Sequence, residues 1–383
     1  MNIKTRRIHH IISGLNDGGA EAVLYRLCTN DITHKHYVIS MMDAGKYGPL
    51  LQQSGVEVYC LNMPQGRVTL RGLWYLWSLL REFKPYVVQT WMYHADLIGG
   101  VLARLAGVKA VFWGIRHTTL EPGKSKRSTI YVARLCALLS RWVPIKIVCC
   151  ANKAVVVHEK LGYATNKMIV IPNGYDLEKF LVDHDTRNCL RSEWGIDESM
   201  PLLGMVGRFD PQKDHKNLIN ALGKLRQSGF NFRFVLVGKN LLETNQELVA
   251  WIDAQNLHEH IILLGQRSDI PKVMNALDVH VLSSSYGEAF PNVLAESMAC
   301  GTPCVTTDVG DAALIVGGTG WVVEPRNAEA LATALLDSLI SFHDEPAWTI
   351  RKQQARERIV DNFSLEKMVN AYHAVWNIES RLT

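Results

Sequence analysis

Residues 278–303, DVHVLSSSYGEAFPNVLAESMACGTP, restrict the fold more than any other part of the chain. DVHVLSSS alternates apolar and small polar residues as a strand does, Tyr286-Gly287 breaks it, and a helical pattern follows. Apolar strands alternating with helical stretches recur throughout, which is the pattern of an α/β fold, and ligands bind such sheets at the carboxyl ends of their strands. Glu288 then falls in the loop leaving the strand, and Glu296, eight positions on, falls inside the helix. Pro291 suits that helix's first turn. The free N–H groups there, with Ala289, Phe290 and Asn292 around them, favour a phosphate. Glu296 would meet the same ligand at hydroxyls, because a carboxylate accepts hydrogen bonds and repels anions. The layout fits a diphosphate carrying sugars at both ends. The same spacing also fits a turn residue and a solvated helix-face residue, and spacing alone does not choose.

In PLLGMVGRFDPQKDHKNLINAL (201–222) an apolar strand ends at Gly207, and Arg208 and Lys213 flank a polar turn before a helix. Arginine offers a planar fork and lysine a mobile point charge, a pair suited to a pyrophosphate leaving group. Either residue alone reads equally as a sheet-edge cap or a solvated cation.

VGRFDPQK and SSSYGEAFPNVLAESMACGTPCV, preceded by VIPNGYDLEKF and by GLNDGGAEAVL, resemble the retaining, nucleotide-sugar-dependent glycosyltransferases of family 4. The four motifs occur in the right order over nearly the whole chain. The resemblance implies a GT-B fold: two Rossmann-like α/β domains facing a central cleft, with a C-terminal helix crossing back to the first. It implies that Arg208 and Lys213 neutralise the donor diphosphate, that Glu288 holds hydroxyls of the transferred sugar, and that Glu296 binds the nucleotide ribose. Gly18 and Gly19 resemble the glycine loop that closes over the donor phosphates, and His117, in GIRHTTLEP, the active-site histidine of the first domain. Gly238, Lys239 and Arg267, in LVGKN and LLGQRSDIP, are expected as donor-side neighbours. The chain departs from the usual pattern at Asp214, where glycine commonly follows the lysine, and at Pro291-Asn292.

Retention, implied by the resemblance, involves front-side attack with the acceptor proton passing to a departing phosphate oxygen, so no carboxylate base is needed. With cations on the diphosphate, neither metal nor other cofactor is expected. A UDP-sugar is favoured over a GDP-sugar as donor, and a lipid-linked oligosaccharide or polysaccharide as acceptor. A dehydrogenase on a similar scaffold needs Gly-x-Gly-x-x-Gly after its first strand, which Gly14, Gly18 and Gly19 do not match. A binding protein of the same fold without turnover is the remaining alternative.

The chain has 383 residues, enough for about two domains. The expected divisions are 1–183 for an acceptor-binding domain, 184–363 for the nucleotide-sugar domain and 364–383 for the returning helix, with a hinge near 176–200. Residues 1–183 carry 23 Lys+Arg against 12 Asp+Glu, a balance of +11, and the remainder has 18 against 25, a balance of −7. A basic first half suits an anionic surface. Arg127, Arg134 and Arg141 recur every seven residues and are predicted along one side of a helix, with Ile130, Leu135, Leu138, Leu139 and Trp142 as apolar surface. Such a helix fits a membrane interface, as does RVTLRGLWYLWSLLREFKP with Trp74 and Trp77. Both also fit ordinary helices packed on a sheet. No base-reading module accompanies the basic residues, so nucleic acid is not an expected partner. There is no apolar run long enough to span a bilayer and no signal-peptide pattern, so a cytoplasmic or peripheral protein is expected. The eight cysteines show no zinc or disulfide spacing.

Overall fold

The computed structural model describes residues 5–120 and 125–377. Glu121 and Pro122 of the GIRHTTLEP segment, Lys124 of the basic stretch and the part of the expected C-terminal helix beyond 377 lie outside the described residues. The chain divides into two compact units, residues 1–174 with 365–383, and residues 175–364.

The N-terminal unit alternates β1 (Arg7–Ile12), α1 (Gly19–Asn30), β2 (Lys35–Ser40), α2 (Tyr47–Gln53), β3 (Glu57–Cys60), α3 (Leu70–Phe83) and β4 (Val87–Trp91). It continues with α4 (Tyr93–Leu105), β5 (Ala110–Ile115), α5 (Arg127–Leu139), β6 (Lys146–Cys149), α6 (Asn152–Lys160) and β7 (Met168–Val170). The seven strands are all parallel in the order β3-β2-β1-β4-β5-β6-β7. Right-handed crossovers place α1 and α2 on one face and α3 to α6 on the other, so the central strands are buried on both sides. That is why β4 and β5 are fully buried, β5 with no polar side chain and β4 with Gln89 and Thr90 hydrogen-bonded inside.

The second unit holds α7 (His184–Glu193), β8 (Leu202–Val206), α8 (His215–Gln227), β9 (Arg233–Val237), α9 (Gln246–Ala254), β10 (Ile261–Gly265) and α10 (Ile270–Ala276). After these come β11 (Val279–Leu282), α11 (Asn292–Ala299), β12 (Cys304–Thr307), α12 (Ala312–Val316), β13 (Trp321–Val323), α13 (Ala328–Phe342) and α14 (Glu345–Phe363). Its six parallel strands run β10-β9-β8-β11-β12-β13. The strand order reverses between β8 and β11, which opens a crevice at their carboxyl ends.

The last helix, α15 (Leu365–Trp376), belongs to the N-terminal unit and packs on α1. Tyr372 and Trp376 are fully buried there, and their burial is worth on the order of 4–6 kcal/mol each before entropic costs. Trp376 Nε1 donates to Gln89 Oε1 at 3.3 Å, and the Tyr372 hydroxyl meets the Arg116 guanidinium. Asp31, just past α1, accepts from His373 Nε2 at 2.7 Å and His36 Nε2 at 3.0 Å. Burial alone would raise this carboxyl's pKa, but those two hydrogen bonds outweigh it and hold the group well below the usual range.

Two expectations need correction. The segment 175–183 belongs to the second unit rather than the first. Tyr175 N donates to Phe363 O at 3.0 Å, its hydroxyl to Asn292 Oδ1 at 2.6 Å, and Asp183 N to Asn275 Oδ1 at 2.8 Å. Polarity made this stretch look like a linker, whereas its hydrogen bonds anchor it. The basic helix is also shorter than predicted: α5 ends at Leu139 and Arg141 sits in the following turn. Arg127, Arg134 and Arg141 are all exposed, but Ile130 is buried and Leu139 half-buried. The outward apolar stripe is Tyr131, Leu135, Leu138 and Trp142, each 45–69% exposed. In the second candidate stretch Trp74 is exposed and Trp77 half-buried.

Asp96 on α4 is completely buried. Its Oδ1 accepts from Thr90 Oγ1 at 2.5 Å and Gly114 N at 3.1 Å, and its Oδ2 has no partner. Burial pushes its pKa up to about 8, against the opposing hydrogen bonds. Between the ordinary aspartate value and about 8 the folded state holds a proton that the unfolded chain has lost, so this group lowers stability as pH rises through that window. Asp96→Asn removes the titration while keeping the acceptor. The difference in Tm, variant minus wild type, is expected to grow more positive from pH 5 to pH 8 in thermal melts; a difference independent of pH contradicts the assignment.

Candidate functional site

The site is built at the reversal between β8 and β11. β8 ends at Val206, and Asp210 Oδ1 accepts from Gln212 N at 2.9 Å, starting a 3-10 turn over Pro211–Lys213. Asp214 follows in the left-handed conformation, φ 51°, and caps α8 by accepting from Asn217 N at 3.3 Å. The departure noted in the sequence has its reason here: glycine tolerates positive φ, and aspartate tolerates it too while adding a cap.

This turn projects Lys213 toward the loop after β11, where Lys213 Nζ lies 2.6 Å from Glu288 Oε1 with both side chains 11% exposed. Ser284 Oγ donates to the same Oε1 at 2.8 Å, Ser283 Oγ to Lys213 O at 2.7 Å, and Ser285 N to Gln212 O at 2.8 Å. The two loops are thus stitched together by the serine run. Burial alone would raise the Glu288 pKa, but the Lys213 charge and hydrogen bonds from Lys213, Ser284 and Gln212 outweigh it, so the carboxylate stays ionised. Gly287 has φ 84°, and a Cβ there would come within 2.9 Å of Gln212 Cδ, so the turn before Glu288 requires glycine. Beneath the pair, His280 is fully buried, its pKa pushed down to about 3 by burial and then by Lys213, so it stands neutral.

The other predicted residues divide. Arg208 is 58% exposed at its side chain and its Nε donates to Asp210 Oδ2 at 3.0 Å, which holds the guanidinium beside the turn. Gly238 packs so closely on the Gly207 carbonyl that no Cβ fits, which joins the ends of β8 and β9, and Lys239 is exposed next to it. Ala289 and Phe290 are buried, and Ala289 O accepts from Asp311 N at 2.9 Å. Pro291 is the residue that caps α11 rather than a member of its first turn, because its ψ of 99° is extended. Asn292 opens α11 with its side chain engaged by the Tyr175 hydroxyl, and Glu296 lies one turn further, half-buried. Arg267 is paired bidentately with Asp269, Nε to Oδ1 at 2.8 Å and Nη2 to Oδ2 at 2.6 Å, so its charge is largely matched within its own loop.

Gly18, Gly19 and His117 belong to the N-terminal unit. Gly18 is the N-cap of α1, where a Cβ would meet the Glu21 carboxylate, and Gly19 is the first helical residue. His117 follows β5, half-buried, with Nε2 3.4 Å from Ser125 Oγ and its pKa lowered by burial. Its neighbour Arg116 was not singled out by sequence, yet it donates to Asn173 Oδ1 at 2.8 Å and lies 4.5 Å from the Trp91 ring centroid. Ser284 and Gln212 were likewise missed; three serines closing an apolar strand are the signal that buried hydroxyls there have work to do.

The chain contains an Asp-x-Asp triplet, Asp183-His184-Asp185, the type of sequence that can clamp a metal on a diphosphate. Asp183 is the N-cap of α7, accepting from Thr186 N at 2.9 Å, so its carboxylate serves a helix end. Among the described residues, the His/Cys/Asp/Glu groups close enough to share an ion are His10–Cys28–His36 and Asp31–His34–His373, both in the N-terminal unit.

Residues 17–179 match the glycosyltransferase family 4 family, and residues 186–356 match the glycosyl transferases group 1 family. The UDP-Gal:alpha-D-GlcNAc-diphosphoundecaprenol alpha-1,3-galactosyltransferase of Escherichia coli is 26% identical over 313 residues, covering 79% of this chain and 77% of that protein. The capsular polysaccharide biosynthesis glycosyltransferase CapM of Staphylococcus aureus is 25% identical over 332 residues, 79% of this chain and 81% of its own length. The crystal structure of Anabaena HepE in complex with UDP matches with a TM-score of 0.83 and 20% identity, over 96% of this chain and 98% of that one. The chain belongs to the family 4 glycosyltransferases and has their GT-B fold.

Proposed function

We propose that this chain is a retaining glycosyltransferase that moves a sugar from a UDP-sugar to a lipid-linked oligosaccharide or polysaccharide at the cytoplasmic membrane face, without a metal at the donor site. The observation that carries this reading is the buried Lys213–Glu288 pair at the reversal between β8 and β11, with Arg208 two residues beyond the end of β8. The bond from the anomeric carbon to the diphosphate breaks as the bond to the acceptor oxygen forms on the same face. Negative charge grows on the leaving diphosphate, and preorganised cations are worth most where charge develops. Lys213 and Arg208 supply those cations, and the first turn of α11 adds backbone N–H groups. The acceptor proton passes to the departing phosphate oxygen. Glu288, kept ionised and fixed by Ser284, holds sugar hydroxyls rather than taking a proton. Glu296, one turn into α11, is assigned to the ribose.

Two similarities support the donor and acceptor classes. The Escherichia coli relative is named for UDP-Gal and a diphosphoundecaprenol-linked acceptor, and Anabaena HepE has been crystallised with UDP-glucose. The stripe Tyr131, Leu135, Leu138 and Trp142, flanked by exposed Arg127, Arg134 and Arg141, supports contact with an anionic bilayer. No helix among the described residues is long and apolar enough to cross a membrane.

Thermal melts with UDP, GDP, ADP and their sugar conjugates, each with and without chelator, test the donor. A selective rise in Tm with UDP compounds that persists under chelation is expected; a rise with GDP alone reassigns the donor, and none with any nucleotide removes the donor site.

Donor turnover should fall roughly 10²–10³-fold in Arg208→Ala with little loss of stability, because that side chain is exposed. Lys213→Met, by contrast, strands a buried carboxylate and should cost roughly 3–5 kcal/mol in urea unfolding, part of which Glu288→Gln restores in the double variant. Equal stability losses in the Arg208 and Lys213 variants would contradict the buried pair.

Wild type should cosediment with vesicles containing anionic lipid more than with zwitterionic vesicles, and Leu135→Ser/Leu138→Ser should abolish that preference. Equal sedimentation of the two proteins would remove the membrane assignment and leave the transfer chemistry standing.

A further inference from the structure

Histidines with both ring nitrogens buried and unpartnered include His9, His34 and His215 among the described residues. Such a ring costs roughly 1–3 kcal/mol for each polar atom left unsatisfied. His9 stacks on Tyr37 at 4.5 Å and His215 packs on Phe209 at 5.2 Å, both apolar settings. His34 differs. It is 6% exposed, its ring stands 4.6 Å from that of His373, and a nitrogen of His34, one of His373 and a carboxylate oxygen of Asp31 all lie within 4.8 Å of one another.

The neighbouring trio is already committed. Trp91 Nε1 donates to His10 Nδ1 at 3.1 Å, His10 Nε2 to His36 Nδ1 at 2.8 Å, and His36 Nε2 to Asp31 Oδ2 at 3.0 Å. That chain of donors assigns the tautomers and leaves neither His10 nor His36 a lone pair to offer. It also orients the Asp31 carboxylate, whose Oδ1 accepts from Thr33 N at 2.8 Å and His34 N at 3.3 Å. Asp31 thus faces His34 and His373 already buttressed, as carboxylates that bind metals are.

We propose that Asp31, His34 and His373 form a structural site for a zinc-class divalent cation that pins α15 to the α1–β2 corner of the N-terminal unit. Two imidazoles and one carboxylate are a borderline donor set that suits zinc in tetrahedral geometry, with water as the fourth ligand. The water has a route: Asp31 and His373 line a surface cavity of about 390 Å³ between the 30–33 corner and α15. His373 Nε2 now donates to Asp31, so its proton shifts to Nδ1 when Nε2 takes the metal. No redox step is involved. The ligands come from the ends of the chain, His373 lying 342 residues after Asp31, so the ion crosslinks what the sequence holds far apart. The site sits where β2 begins, at the amino edge of the sheet, opposite the edge where ligands bind α/β sheets, which is why its role is structural.

Tag-free protein is stripped with chelator, re-equilibrated with zinc or cobalt, desalted and submitted to elemental analysis and thermal melts. Wild type is expected to retain one ion per chain, to melt higher with zinc than after stripping, and to give tetrahedral cobalt absorption. His34→Phe keeps an aromatic ring beside His373 and should lose all three signals. His258→Ala, which removes an exposed histidine paired with Asp253, should keep them. Substoichiometric metal in wild type, or full retention in His34→Phe, overturns the site. If His34→Phe does not fold, X-ray absorption of the wild-type zinc protein decides: two imidazoles with oxygen ligands support the site, and any other shell refutes it.

Discussion

Burial alone would raise the Glu288 pKa, and the Lys213 ammonium 2.6 Å away, with the hydrogen bonds from Lys213, Ser284 and Gln212, outweighs it and keeps the carboxylate ionised. Much of the second unit's carboxyl edge follows from that pairing. Lys213 reaches Glu288 only because the 3-10 turn and left-handed Asp214 fold the segment after β8 back on itself, and Glu288 meets it only because Gly287 lets the opposite loop turn sharply. Gly310 extends the same logic, since a Cβ there would run into the Glu288 and Ala289 carbonyls. The loops after β8, β11 and β12 are therefore one interlocked surface.

The N-terminal unit depends on a different device. Its sheet is completed on one face by α15, which arrives after the whole second unit has been traversed. Apolar burial of Tyr372 and Trp376 supplies the attraction, but it is non-directional. Direction comes from polar contacts: His373 to Asp31, Trp376 to Gln89 and Tyr372 to Arg116 fix the helix in one register. The same Arg116 reaches Asn173 at the end of the unit and lies against Trp91, so the last helix and the carboxyl edge of β4 and β5 share a residue.

Much of this was legible beforehand. Strand and helix periodicities imply alternating α/β units, and all thirteen strands of the two sheets are parallel as that pattern demands. Glu288 and Lys213 were recognisable as charged residues at strand ends, and their motifs carried the family. Less legible were residues whose meaning lies in what their side chains pair with. Arg267 reads as a donor-side neighbour and Arg208 as a cation for the diphosphate, yet each has an aspartate two residues away that takes part of its charge. Asn292 read as a ligand contact, but its side chain is engaged by Tyr175. The stretch 175–183 read as part of the first domain because its polarity hides the hydrogen bonds that tie it to the second.

Local chemistry is written in the order of residues: periodicity sets strand or helix, glycine and proline set turns, and a motif places charge at a strand's end. By those means the sequence alone determined the α/β class and the charged groups at the strand ends, and its family resemblance implied the two Rossmann-like domains. Which charges are matched, which stand buried and which face solvent depends on residues brought together from tens to hundreds of positions apart, as Lys213 is to Glu288 and Asp31 to His373. Those pairings, the tautomers of the histidine chain and the outward stripe on α5 were decided only by tertiary structure, because the free energy of a charge is set by what surrounds it rather than by what adjoins it in the chain.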